Sequence, residues 1–192
     1  MTQNEVPSVR PLGLRNIEIK AHNFLLHHFP EQFETAQPLP LVEFLEFSLA
    51  AHYGFELELH DHLDPGVMAL TCFDTKTLKL LERDMRLLES FGDPQARRPR
   101  FTAAHEIGHV VLHANQLEGF YERSPNRRRL YRRDEIKPFK NPEWQANAFA
   151  AGILVPAKHL QPGMTPWEVQ ELFGVSTQVA EIRLEKYNEG KI

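Results

Sequence analysis

The sequence predicts an α+β fold, in which a helix-rich domain carries a small β-sheet of about three strands and a helical hairpin at the C-terminus. Apolar residues recur at helical spacing in several segments, residues 55–82 contain short alternating runs typical of strands, and Gly174 with Ser176 divides the last helical stretch in two. A chain of 192 residues with 42% hydrophobic content is long enough for one core. We therefore expect a single domain over residues 14–192, preceded by a flexible arm at residues 1–13.

Two amphipathic helices are predicted in the first third of the chain. Apolar residues recur with helical spacing from Leu14 to Phe29, where a proline stops the run. His27 and His28 lie at the end of this helix, where the helix dipole favours a cation, so we expect them to cap the helix rather than to bind a metal. A second helix is predicted over Leu41–Tyr53 and ends at Gly54.

Three strands are predicted next. Phe55–His60 alternates strictly and indicates a strand with one solvated face. Val67–Phe73 and Thr77–Glu82 flank a short turn and predict a hairpin that continues the sheet. His60 and His62 follow the first strand, and we expect a solvated corner there rather than a metal site, because no third ligand is suggested. The charged segment that follows, residues 83–100, predicts an exposed helix or loop.

Residues 101–113 predict a central helix that contains the motif His105-Glu106-Ile107-Gly108-His109. Residues four apart on an α-helix lie about 40° apart on one face and about 6 Å apart along the axis, so both imidazoles can hold one metal ion. Glu106 projects from the flank of that face, where a carboxylate can act as a general base. Apolar neighbours on most sides predict a buried helix, and buried polar side chains need partners. The alternative is a core helix whose histidines hydrogen-bond to neighbouring residues.

A catalytic zinc usually keeps three protein ligands, so a third is needed from elsewhere. His113 lies on the same stripe, but it is eight residues from His105 and therefore about 12 Å away along the helix, which is too far for one ion. We expect His113 to support a ligand instead. The third ligand is predicted to be an acid on another helix.

Asn141-Pro142-Glu143 is a strong helix start, and the helix it opens runs to about Leu154. Glu143 is the predicted third ligand, and Asn147, one turn later on the same face, is expected to orient a ligand by hydrogen bonding. Four other acids lie in the preceding insertion as alternatives: Glu118, Glu122, Asp134 and Glu135.

The insertion over residues 114–140 holds the most basic patch of the chain, with six arginines in the eleven positions of residues 123–133. A solvated loop is the preferred interpretation, and a docking surface for an acidic partner is the alternative.

Composition limits the classes of function. The net charge of −4 and the pI near 6.2 argue against a general affinity for nucleic acid or for anionic membranes. Cys72 is the only cysteine, so no intrachain disulfide can form, and the polar start of the chain does not resemble a signal segment. No apolar run approaches the roughly 20 residues that span a bilayer. We expect a cytoplasmic protein.

The C-terminal segment 164–188 allows a second hypothesis, DNA binding, because it has the layout of a helix-turn-helix. Its acidic residues outnumber its basic ones, however, whereas a helix that lies beside phosphates is usually basic. A helical hairpin that packs on the core is therefore preferred, and direct nucleic-acid binding is not expected.

Two blocks of the sequence resemble the ImmA/IrrE family of zinc metallopeptidases. They are Phe101-Thr-Ala-Ala-His-Glu-Ile-Gly-His-Val-Val-Leu-His113 and Glu143-Trp-Gln-Ala-Asn-Ala-Phe-Ala-Ala-Gly-Ile-Leu-Val-Pro156. Family members typically carry FTxAHExGHxxLH followed by ExxANxFAxxLLxP. The similarity extends over roughly residues 14–187 and implies a zincin-like metallopeptidase domain.

The resemblance implies a zinc endopeptidase of the gluzincin type with one Zn²⁺ per chain. His105, His109 and Glu143 would be the zinc ligands and Glu106 the catalytic base. The typical task of the family is cleavage of a partner repressor, often of the XRE helix-turn-helix type, in a phage, mobile-element or stress-response circuit. A non-catalytic zinc-binding module that only holds its partner is the alternative.

Two further parts of such a site are expected from general chemistry. A developing oxyanion needs a hydrogen-bond donor, for which His113, Tyr121 and Tyr131 are candidates. An edge strand of the hairpin at residues 67–82 can bind the substrate as an additional strand.

Overall fold

The computed structural model describes residues 5–117, 130–132 and 136–192, of which 5–7 and 130–132 are described through their backbone. The helices are α1 (Leu14–His28), α2 (Pro30–Glu34), α3 (Leu41–Glu43), α4 (Leu49–Tyr53), α5 (Glu82–Leu88), α6 (Arg97–Leu117), α7 (Pro142–Leu154), α8 (Pro166–Phe173) and α9 (Thr177–Asn188). The strands are β1 (Glu5–Pro7), β2 (Glu56–His60), β3 (Ala69–Cys72), β4 (Thr77–Leu81) and β5 (Leu130–Arg132). The predicted α+β class is thereby confirmed.

The main sheet has three strands in the order β2-β4-β3. β3 and β4 form the expected antiparallel hairpin, whereas β2 pairs with β4 in parallel. β4 takes the central position because it is the most apolar strand, with Leu78 and Leu80 fully buried. β3 is therefore left at one edge of this sheet.

The helix predicted over Leu41–Tyr53 forms with one irregularity. Its middle, Phe44–Ser48, is a π-helical turn between α3 and α4. Gly54 ends it in the left-handed conformation, with φ of 68°, which a residue without a Cβ adopts at little cost.

The segment before the central helix is more buried than the sequence predicts. α5 places Met85 and Leu88 in the core, and α6 begins at Arg97. Arg100 is only 1% exposed and donates to the Leu39 carbonyl oxygen at 2.7 Å. Burial lowers the pKa of Arg100 to about 10. The expectation of an exposed segment holds for residues 89–92 but is wrong for Met85, Leu88 and Arg100. The charged head of Arg100 can be buried because it finds backbone acceptors.

α6 lies between the sheet and α7, and α1 packs on the other side of α7. Phe24 of α1 meets Phe149 of α7 edge to face, with ring centroids 5.4 Å apart. The helix that carries the histidine motif thus lies between the sheet and α7, with Ala104, Ile107 and Val110 in the hydrophobic core.

The first residues of the described chain are bonded to the body of the protein. β1 pairs antiparallel with β5, and the backbone N–H groups of Val9 and Leu12 donate to the carbonyl oxygens of Lys140 and Phe139 at 3.0 and 2.8 Å. The flexibility expected for residues 1–13, and the single domain expected over residues 14–192, stay predictions.

α8 and α9 form the expected C-terminal hairpin. Gly174 turns the chain with φ of 63°, and the Ser176 hydroxyl accepts from the backbone N–H of Val179 at 3.3 Å as the cap of α9. Arg183 is 2% exposed and bonds the Glu18 carboxylate and the Val155 carbonyl, so it anchors α9 to α1 and α7. Across the described ranges 5–117, 130–132 and 136–192, no helix combines the length and apolarity of a membrane span.

Candidate metal centre

His105 and His109 lie one turn apart on α6, as the motif predicts. Their Nε2 atoms are 3.0 Å apart and their rings are nearly perpendicular. His109 is 8% exposed, and the side chain of His105 is 16% exposed, so the pair keeps limited contact with solvent.

Glu143 reaches the same point from α7. The Asn141 side chain accepts from the backbone N–H of Glu143 at 2.9 Å and caps the helix at the turn that carries this carboxylate. Its Oε2 lies 3.5 Å from His105 Nε2, and its Oε1 lies 3.4 Å from His109 Nε2. The structure therefore brings the three sequence-predicted ligands together, with one ligand atom from each within 4.8 Å of the others.

The separations suit one zinc ion. Two ligand atoms that each lie about 2.05 Å from an ion at tetrahedral angles are about 3.3 Å apart. The two Nε2 atoms are 3.0 Å apart, and the distances from an imidazole nitrogen to a Glu143 oxygen are similar, at 3.5 Å from His105 to Oε2 and 3.4 Å from His109 to Oε1. Two imidazole nitrogens and one carboxylate are also a donor set that catalytic zinc sites use, with a further coordination position left open. The residues present thus fit a zinc ion.

A close approach of α6 and α7 makes this convergence possible. A Cβ atom added at Gly108 would lie 3.1 Å from the carbonyl oxygen of Ala146 and 3.2 Å from its Cα atom. The two helices can touch at this distance because residue 108 has no side chain. Glu143 stands one turn before Ala146, directly across from the histidines.

His105 is oriented by Asn147. The Asn147 Oδ1 atom lies 2.8 Å from Nδ1 of His105 and accepts a hydrogen bond from its N–H, which leaves Nε2 facing Glu143. Burial lowers the pKa of His105, but the carboxylates of Glu143 and Glu106 together with Asn147 outweigh this effect, so the pKa is raised.

His109 is oriented by a buried chain of two hydrogen bonds. Gln145 donates its amide to the carbonyl oxygens of Arg10 and Phe139 at 2.9 and 2.8 Å, so its Oε1 atom is the acceptor for Nε2–H of His113 at 3.0 Å. Nδ1 of a neutral His113 then accepts from Nδ1–H of His109 at 3.2 Å.

This chain fixes the proton of His109 on Nδ1 and leaves the lone pair of Nε2 directed at the centre. Burial lowers the pKa of His109 to about 3 and that of His113 to about 4, so both are neutral at pH 7. Both ring nitrogens of His113 are engaged and the residue is fully buried, so it has no free N–H to offer a reacting oxyanion.

Glu106 lies beside the centre on α6 and is 8% exposed. The Thr71 hydroxyl of β3 donates to its Oε2 atom at 2.6 Å. Burial raises the pKa of Glu106, while His105 and the Thr71 hydroxyl lower it by less. A carboxylate in such surroundings accepts a proton more readily than a solvated one.

The remaining candidates fall partly or wholly outside the described residues. Tyr121 and the alternative acids Glu118, Glu122, Asp134 and Glu135 lie outside them. Tyr131 belongs to β5, which is described through its backbone. Of the arginine-rich stretch 123–133, only residues 130–132 are described.

Sequence reasoning missed Thr71 and Gln145. Thr71 comes to Glu106 through the packing of β3 against α6, for which no local pattern exists. Gln145 left a usable signal, because it is a polar residue on the buried face of a predicted helix and such residues require hydrogen-bond partners.

Comparisons with known proteins found one match to a family model and one similar fold. Residues 92–185 match the family model Peptidase_M78, described as the IrrE N-terminal-like domain. A solved structure of a Mycobacterium tuberculosis transcriptional regulator is similar in fold, with a TM-score of 0.58 at 15% identity over 89% of this chain. This chain spans 46% of the length of that protein. Among curated proteins no significant match is found.

Proposed function

Residues 92–185 belong to the Peptidase_M78 family, and from that premise we propose that this chain is a zinc-dependent endopeptidase that cleaves a partner transcriptional repressor. The family is of the metallopeptidase type. The observation that carries the proposal is the convergence of His105, His109 and Glu143 beside the buried carboxylate of Glu106.

His105 and His109 would bind zinc through Nε2 and Glu143 through its carboxylate. Bound there, zinc supplies Lewis-acid polarisation of the scissile carbonyl and makes water acidic enough to react near neutral pH. Asn147 and the His113–Gln145 pair hold the two imidazoles in the required tautomers.

Glu106 supplies the proton transfer. Its Oε2 atom is held by Thr71, and its other oxygen is left to take a proton from the attacking water and pass it to the leaving amine. Its raised pKa suits both steps, because the group must first accept the proton and then release it near neutral pH.

The edge strand β3 is the proposed binding place for the substrate backbone. Within the described ranges 5–117, 130–132 and 136–192, β3 pairs with β4 along one side only. Thr71 of this strand touches Glu106, so a peptide added alongside β3 would run close to the general base. Strand addition presents an extended backbone for cleavage and recognises it through main-chain hydrogen bonds.

A repressor of the XRE helix-turn-helix type, in a phage, mobile-element or stress circuit, is the proposed substrate. The support is the resemblance of the two sequence blocks to the ImmA/IrrE family and the fold shared with a transcriptional regulator. The C-terminal hairpin does not favour DNA binding by this chain, since Arg183 of α9 is buried in an ion pair while Glu181 and Glu185 are exposed.

The test compares cells that express the wild type with cells that express the Glu106→Gln variant. The quantity measured is the set of new N-termini that cleavage creates in cellular proteins. We expect a repressor to be cut by the wild type, and cutting by the variant to fall by a factor on the order of 10² to 10⁴, because the general base is lost. Zinc should stay bound, since Glu106 is not a proposed ligand.

Glu181→Gln, which makes the same change on the exposed face of α9, is the matched control and should cut normally. Equal cleavage by wild type and Glu106→Gln would remove the proposed mechanism. Relief of repression by both without any new N-terminus would favour the non-catalytic module.

A further inference from the structure

A second cluster of histidines lies where α1 and α4 end. His27 and His28 close α1, and His52 stands in the last turn of α4. Ring centroids are 4.5 Å apart for His27 and His28, 5.4 Å for His27 and His52, and 4.9 Å for His28 and His52. One nitrogen from each ring lies within 4.8 Å of the others. The three residues share no element with the centre on α6 and α7.

His28 is held in place by its surroundings. Its ring packs against Phe24 and Phe44, with centroids 4.8 and 5.1 Å apart, and its Nε2 atom lies 3.1 Å from the Tyr53 hydroxyl. When Nε2–H donates to that oxygen, the lone pair is on Nδ1. This is the arrangement in which a hydrogen-bond partner fixes the tautomer of a metal-binding histidine.

The local electrostatics favour a bound cation at this cluster. The negative ends of two helical segments meet here, since α1 ends at His28 and the run that contains α4 ends at Tyr53. Burial, followed by the neighbouring His27 and His52, lowers the pKa of His28 to about 4, so its lone pair is available at neutral pH. His27 and His52 are exposed, which gives an ion access from solvent.

We propose that His27, His28 and His52 form a second metal site, selective for a borderline divalent transition ion such as Zn²⁺, Ni²⁺ or Cu²⁺. Neutral imidazole suits these ions, whereas Mg²⁺ and Ca²⁺ require oxygen ligands, which the three rings do not offer. The ion joins the end of α1 to the end of α4. The expectation was that His27 and His28 only cap a helix. It changes because the fold brings a third histidine, His52, to this pair from 24 residues after His28.

The site is tested by calorimetric titration of the metal-free full chain with Zn²⁺ and, separately, with Ni²⁺ or Mg²⁺. We expect two zinc equivalents in the wild type and one in His27→Ala/His52→Ala. The His105→Ala/His109→Ala variant should also keep one equivalent, which separates this site from the proposed catalytic centre. Tyr53→Phe keeps the aromatic ring but removes the hydroxyl. It should lower the affinity for the second zinc ion by about tenfold, as for other groups that orient a ligand.

His60→Ala/His62→Ala is the control, because it removes two histidines at the end of a strand outside both sites. This variant should still bind two zinc equivalents. Circular dichroism of each metal-free variant checks its fold. The proposal fails if His27→Ala/His52→Ala still binds two equivalents, or if the His105→Ala/His109→Ala variant, correctly folded, binds none. Binding of Mg²⁺ at the second site with similar affinity would overturn the proposed class of ion.

Discussion

At the scale of single residues, each proposed ligand nitrogen is backed by a neighbour that determines where its proton sits. Asn147 accepts a hydrogen bond from Nδ1–H of His105, and His113 accepts one from Nδ1–H of His109. Both bonds use the ring atom that faces away from the centre, so both Nε2 atoms present a lone pair to it. Thr71 does the equivalent for Glu106 by occupying one carboxylate oxygen.

Thr71→Val tests the contact with the general base. The change keeps the side-chain volume and removes the hydroxyl that lowers the pKa of Glu106 against the larger effect of burial. The pKa of Glu106 should rise further, and because the base must be ionised to act, the acid limb of kcat/KM against pH should move to higher pH. Thr71→Ser keeps the hydroxyl and should retain the wild-type limb. An unmoved limb in Thr71→Val would mean that the hydroxyl does not tune the base.

At the scale of elements, the centre depends on how closely α6 and α7 approach. Gly108 permits the contact with Ala146, and the cap at Asn141 fixes the turn that carries Glu143. The ligands are therefore set by two rigid helices rather than by loops, which favours a preorganised site.

Gly108→Ala should push the two helices apart. The new Cβ atom would lie 3.1 to 3.2 Å from the backbone of Ala146. This contact is too close, and relieving it requires a shift of the backbone rather than of a flexible side chain. We expect a loss of about 1–3 kcal/mol in the free energy of unfolding, together with weaker zinc binding because Glu143 moves away from the histidines. Urea unfolding and zinc titration of the metal-free protein measure the two effects.

Gly152→Ala is the matched control for that change. Gly152 lies on α7, the helix that packs against α6, and an added Cβ atom would meet Ala21 of α1 at 3.0 Å, on the side of α7 away from the centre. It should lower stability but leave zinc affinity close to that of the wild type. Equal losses of zinc affinity in both variants would show that general loosening, rather than the α6–α7 distance, controls the site.

The elements with local signals are the ones that sequence reasoning predicts well. The His105 motif lies on a buried helix, and Asn141 caps the helix that brings Glu143 to the histidines. Contacts between distant segments leave no such signal, and so the parallel pairing of β2 with β4 and the bond from Thr71 were not predicted. The π-helical turn in the second helix also has no signature in apolar spacing.

At the scale of the whole molecule, the described ranges join the centre to the rest of the fold through buried polar contacts. Gln145 bonds the His113 ring on one side and the carbonyl oxygens of Arg10 and Phe139 on the other. Arg183 ties the C-terminal hairpin to α1. Loss of these buried polar contacts should therefore lower the stability of the whole fold.

Acidification should destabilise the metal-free protein partly through His113. Its folded pKa of about 4 lies below the ordinary value of 6.5, so its contribution is complete above pH 6.5 and is lost as pH falls toward 4, where the unfolded chain alone takes the proton. Each such proton gives a slope of about 1.4 kcal/mol per pH unit.

The measurement is the free energy of unfolding between pH 7 and 4 for the wild type and for His113→Gln, both with chelator. The variant should lose less stability on acidification, whatever its stability at pH 7. Parallel curves for the two proteins would show that His113 is not held neutral by its surroundings.

The central claim is that His105, His109 and Glu143 hold one zinc ion beside Glu106. Anomalous diffraction at the zinc edge from crystals of the zinc-loaded protein tests it most directly. We expect a peak about 2.0–2.2 Å from Nε2 of both histidines and from a Glu143 oxygen. A zinc ion there that is bound by an acid of residues 118–135 in place of Glu143, or no zinc between the histidines at all, would contradict the claim.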